Sequence, residues 1–116
     1  MNVLETCAVS AVTFEQAAEL FKAAGYNEYQ LVPGLPTSSW CALLPGEAMP
    51  ELGGTDDNYL GWFSSHRETI ETVVNETIAP MAMRACRAPM RLWEQMPYRD
   101  KLNLITRLTN DGVFKS

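Results

Sequence analysis

His66 is the one imidazole in the chain, and it stands in the stretch Ser64-Ser65-His66-Arg67-Glu68. An imidazole titrates near neutral pH and can serve as a general base. For nucleophilic catalysis it needs a thiol or hydroxyl to activate and an acid to orient it. The nucleophiles on offer are Cys41, Ser64 and Ser65, and the orienting acids are Asp56 and Asp57. None carries a local signature: no Gly-x-Ser-x-Gly is present, and Cys41 lies mid-strand in SSWCALL,. Strand side chains alternate, so Trp40 and Cys41 face opposite sides and one of them is core. If Ser65 caps a helix, His66 takes its first position, where the positive end of the helix dipole disfavours imidazolium. A cap or surface histidine is therefore the expectation, and a small Cys/His or Ser/His hydrolase is the sharper alternative.

Metal and phosphate chemistry find less support. One histidine with scattered acids does not supply three or four convergent ligands, and no Cys-x-x-Cys spacing occurs,. Gly53-Gly54 is followed by Thr55-Asp56-Asp57, whose acids repel phosphate, and matches neither a P-loop nor a dinucleotide fingerprint,. No metal and no cofactor is expected.

Charge is distributed unevenly. Residues 1–83 carry eleven acids and only Lys22 and Arg67 as bases, a net of −9; residues 84–116 carry a net of +4, and the whole chain −5. Such asymmetry favours a bipolar surface. Two candidate binding sets follow. One is the acidic loop holding Glu47, Glu51, Asp56 and Asp57, part of a wider acidic set that includes Glu15, Glu19, Glu28, Glu68, Glu71 and Glu76. The other is basic: Arg84, Arg87 and Arg91 fall at i, i+3 and i+7, a single stripe if the helix runs through Pro89, with Arg99 and Lys101 close by,. Trp93 and Tyr98 are near enough in sequence to stack bases. Against nucleic acid stands a pI near 4.8,. The plain alternatives are a solvated helix face and acids that keep a small protein soluble.

These residues must be held by elements. Thr13 and Gln16 have capping-box spacing, and Phe14, Ala17, Ala18, Phe21 and Ala24 repeat with helical period before Gly25,. That predicts a helix over about 14–24. Apolar runs at Tyr29–Val32 and Ser39–Leu44, parted by Pro33-Gly34-Leu35-Pro36, predict two strands in a hairpin or small sheet over about 28–44,. Residues 45–57 read as an exposed loop, with two prolines and three glycines,. Tyr59 to Phe63 reads as an aromatic-rich turn opening the helical part.

Ile70, Val73, Val74 and Ile78 predict a helix over about 66–79, ended by Pro80,. A third helix is expected over 81–95, kinked at Pro89, with Met83, Cys86, Met90 and Trp93 on its core flank,. A fourth runs over 97–109, with Tyr98, Leu102, Ile105 and Leu108 inside and Gly112 as its stop,. The fold class expected is α+β, helix-dominated, in one domain of 116 residues,.

Cys7, Cys41 and Cys86 are an odd, unclustered set, expected to be buried reduced thiols rather than a secreted disulfide framework,. The amino-terminal residues lack the basic start of a signal peptide, and no apolar run approaches the roughly 20 residues of a membrane span,. Cytoplasmic placement is expected. Size, acidity and the lack of a catalytic constellation point to a small interaction protein: an inhibitor, adaptor or immunity-type factor of the kind phages and mobile elements encode. Its partner would be another protein, for instance one that itself binds nucleic acid. Nucleic-acid binding through the basic third is the alternative.

Overall fold

The computed structural model describes residues 12–30, 40–43, 45 and 59–114, with backbone alone at 59–62. The protein is helix-dominated α+β. Helix α1 is Phe14–Ala23, followed by strands β1 (Asn27–Gln30), β2 (Trp40–Leu43) and β3 (Tyr59–Phe63). Helix α2 (His66–Val73) runs through a π-helical turn, Val74–Ile78, into α3 (Ala79–Ala85); α4 (Met90–Gln95) and α5 (Tyr98–Asn110) complete the order.

Local chemistry sets most of the boundaries. The capping box of α1 forms as its spacing predicts: Gln16 N–H donates to Thr13 Oγ1 at 3.1 Å, and Thr13 N–H donates to Gln16 Oε1 at 3.0 Å. The three strands form an antiparallel sheet in the order β1-β2-β3, with Glu28 opposite Ala42 and Gln30 opposite Trp40. The third strand corrects the expected helical turn over Tyr59–Phe63. Aromatic residues suit a pleated surface, and β2 offers a free edge to pair with. Between Leu60 and Phe63 the register slips by one residue, a bulge that Gly61 eases,.

Helix α2 packs on β2 and β3, and α1 packs on α2 and α5. The core between them holds Leu20 and Phe21 from α1, Ile70, Val73, Val74 and Ile78 from the central rod, and Ile105 and Leu108 from α5. A second cluster, Tyr29, Cys41 and Leu43, lies on the other face of the sheet.

Pro80 does not end the helix. Ala79 keeps helical angles, φ −62° and ψ −47°, although a residue before proline is usually driven extended,. The π turn makes this possible: Ala79 N–H reaches back five residues to Val74 O. The wider turn parts the carbonyls that the pyrrolidine ring would otherwise strike. One continuous helical rod therefore runs from His66 to Ala85.

The break falls instead at 86–89, ahead of Pro89, so no helix spans 81–95. This moves two residues out of the predicted core flank. Met83 and Trp93 are buried, but Cys86 and Met90 are exposed.

Three helix ends close with the same pair of backbone bonds. At α1, Tyr26 N–H donates to Phe21 O and Gly25 N–H to Lys22 O; at α5, Val113 pairs with Leu108 and Gly112 with Thr109. At α3, Ala88 N–H donates to Met83 O and Arg87 N–H to Arg84 O. This is the Schellman arrangement, whose C′ residue must turn left-handed. Gly25 and Gly112 do so at φ 93° and 82°, and Arg87 does so at φ 54°. A side chain there costs about 1–2 kcal/mol. Glycine returns about 0.4–1 kcal/mol through its freer unfolded chain. R87G is therefore expected to raise stability by up to about 1 kcal/mol in urea unfolding, and an unchanged or lowered midpoint would contradict the strain.

Candidate functional site

Ser65 caps α2: its backbone is extended and its hydroxyl accepts Glu68 N–H at 3.1 Å. Glu68 returns not to Ser65 but to Ser64, accepting its backbone N–H at 2.7 Å and its hydroxyl. These bonds hold the Glu68 carboxyl below its usual range. They fix the entry into α2 and so place His66 at the first helical position, as expected.

The ring of His66 lies over the sheet. Its Nδ1 pairs with Glu28 Oε1 from β1. Phe14 of α1 stands edge-on to it at 5.4 Å between centroids, and Trp40 of β2 lies at 5.9 Å. Arg67, the next residue, sets its guanidinium 4.5 Å from the Phe14 ring centroid and pairs with Glu71 at 3.6 Å. The imidazole thus joins α1, β1, β2 and α2.

Burial pushes the Glu28 carboxyl above its ordinary range, and the charges of His66 and Lys22, with the His66 hydrogen bond, pull it back. The net direction is upward. Its second oxygen, Oε2, is buried and finds no hydrogen-bond partner among the described residues, which is the costly way to hold a carboxylate. Residue 28 alternates onto the same face as Gln30, Trp40 and Ala42 through the antiparallel register,.

A carboxylate beside an imidazole is two-thirds of a nucleophilic triad. Among the described residues, none of the expected nucleophiles is brought to it. Trp40 faces His66, so Cys41 projects from the opposite side of β2, into the cluster with Tyr29 and Leu43. Burial raises the Cys41 thiol pKa, partly offset by a bond with Tyr29, so the sulfur stays protonated at neutral pH,. The Ser64 hydroxyl goes to Glu68, and the Ser65 hydroxyl serves the cap. Asp56 and Asp57 lie outside the described residues, as do Glu47, Glu51 and Cys7. Among the described residues, no group of three or more His, Cys, Asp or Glu side chains gathers as metal ligands. No described helix is long and apolar enough to cross a membrane.

The basic stripe is redistributed. Arg84 is on the last turn of α3, Arg87 in the left-handed cap and Arg91 on α4, so they share no helical register; all three are exposed. Arg99 is exposed on α5. Lys101 is only 1% exposed, with Nζ 5.4 Å from the Trp93 ring centroid. Burial lowers its pKa, against the opposing pull of Glu94. The aromatics expected to stack bases are engaged as well. Trp93 is buried, and the Tyr98 hydroxyl bonds Glu19 and approaches Gln16 O at 3.4 Å.

Comparison with models of protein families, with curated proteins and with solved structures found no match.

The Glu28–His66 pair makes a pH prediction. A carboxyl whose folded pKa lies above its unfolded value contributes stability that is full below about pH 4.5 and lost as pH rises through the folded pKa,. E28Q should flatten that part of the stability–pH curve. H66A, by removing the cationic and hydrogen-bonding partner, should move the Glu28 carboxyl midpoint further up in a carbon-detected NMR titration. A midpoint that falls or stays put would show that the pair does not form.

Proposed function

We propose that this chain acts by binding another macromolecule, as an inhibitor, adaptor or immunity-type factor does. The observation that carries this reading is the engagement of His66. The imidazole best suited to acid–base work is half-exposed but flanked by Phe14 and Trp40 and tied to Glu28, with the Cys41 thiol turned away from it. Much of what faces outward is charge. Glu15, Glu19, Glu68 and Glu76 are exposed on α1, α2 and the π turn, with Lys22 and Arg67 among them; Arg84, Arg87 and Arg91 are exposed toward the other end, with Glu94 and Asp100 nearby. Surface charge of this kind steers and orients a partner more than it adds affinity. Small factors encoded by phages and mobile elements use such surfaces to occupy a host protein, and a cytoplasmic setting suits three cysteines without a disulfide framework,.

A second reading, nucleic-acid binding, draws on exposed Arg84, Arg87, Arg91 and Arg99. Its weakness is the withdrawal of Lys101 and Trp93 into the interior.

The deciding experiment immobilises the full chain and its H66A variant, passes native-host extract over both with and without nuclease, and quantifies retained proteins by mass spectrometry. The expected result is one discrete protein, retained by both chains, displaced by salt and indifferent to nuclease. Retention no greater than on an unrelated acidic protein would overturn the reading. Retention lost with nuclease would transfer it to nucleic acid.

A further inference from the structure

The corner between α3 and α4 differs from the rest of the described surface. It exposes the only two large apolar side chains classed as exposed among the described residues, Met90 at 39% and Leu92 at 44%. Arg84, Arg87 and Arg91 are exposed in the same stretch of chain, residues 84–92. None of the three enters an ion pair among the described residues, where the pairs are His66–Glu28 and Arg67–Glu71. The nearest acid in sequence, Glu94, acts on buried Lys101. The middle arginine also sits in a left-handed cap that the chain gives to glycine at the two other helix ends closed in the same way. Strain kept at one of three equivalent positions, on an exposed cation, points to a use for that side chain.

We propose that the α3–α4 corner docks an acidic, amphipathic segment of a protein partner. Met90 and Leu92 receive its apolar side chains, and Arg84, Arg87 and Arg91 receive its carboxylates. This deepens the binding function above and rests on it. Complementarity selects the occupant. Arginine suits carboxylate bidentately, and methionine adapts to irregular apolar anchors. A second copy of this chain fits poorly. Twofold pairing through the corner would bring six arginines together. Nucleic acid fits poorly too, since Trp93, the aromatic nearest these arginines in sequence, is buried and offers no face on which bases could stack,.

The test uses the full chain and four labelled probes in fluorescence anisotropy: a Glu/Leu peptide of helical period, its scramble, a Glu/Ser peptide of equal charge, and oligothymidylate. The periodic Glu/Leu peptide is expected to bind most tightly. R84E/R91E should weaken it about tenfold at low salt and less at high salt. M90S/L92S should weaken it about tenfold at both. R87G should weaken it while raising the melting temperature, a pairing that damage to the fold cannot produce. Urea unfolding of each variant verifies the fold. Equal affinity for scramble and periodic peptide, or no response to either pair of substitutions, would overturn the proposal. So would oligothymidylate binding more tightly than any peptide. The extract experiment separates the two levels. If M90S/L92S and R84E/R91E still retain the wild-type partner, the corner is wrong and the binding function stands; if wild type retains nothing, the function itself falls.

Discussion

One extra residue in the central rod governs which side chains this protein hides. A straight α-helix started at Ile70 would carry its buried stripe through Thr77, Met81 and Arg84. The π turn at Val74–Ile78 shifts that stripe by one position, and the residues inside are Ile78, Ala79, Ala82 and Met83. Arg84 is thereby turned to solvent and two alanines to the core, which brings neighbouring helices close. The same turn accommodates Pro80 without a break. A proline and a hydrophobic repeat that look mismatched in sequence are thus two parts of one solution. Each would be unfavourable without the wide turn, since the repeat would bury a cation and the ring would strike a carbonyl.

Periodic signals survive translation into structure where burial and hydrogen bonding are local. The capping box at Thr13, the stop at Gly25, the apolar face of α1, the cap at Ser65 and the stripe from Ile70 to Ile78 were all legible. The features that were not legible are set by contacts distant in sequence or by backbone geometry. Strand β3 exists because β2 presents an edge to it, and aromatic residues flanking a glycine do not announce that partner. The stripe of arginines required a helix through Pro89; the chain used the Schellman end at Arg87 instead, at a residue type rarely found left-handed,. Lys101 occupies a position of helical period between Tyr98 and Ile105, so the pattern itself was visible. Its charge argued against burial until the Trp93 ring supplied a face for the ammonium,.

The candidate site divides in the same way. The position of His66 at a helix start could be read from Ser65. Its partner could not, because Glu28 reaches it only through the pairing of β1 with β2 and the packing of α2 on the sheet. A period of two in Glu28-Tyr29-Gln30 separates the buried tyrosine from its polar neighbours, which marks Glu28 as a residue of the helix-covered face once that face is known,. The acids closer in sequence were the less informative candidates.

The cost of the Glu28–His66 arrangement bears on how the two ends of the molecule relate. A carboxylate with one oxygen unpaired among the described residues is retained beside the imidazole that Phe14 and Trp40 flank, and a positive-φ arginine is retained past the opposite end of the rod. Each departs from the most stable choice of residue. They are not equivalent, however. The histidine pair joins four elements, so its expense is offset by fixing the sheet against the helices. Arg87 enters no ion pair among the described residues, and its backbone bonds would form equally well with glycine, as they do at Gly25 and Gly112. An unfavourable residue that orders the fold is explained by the fold. One that orders nothing among the described residues calls for a different account, and the proposed docking corner supplies one.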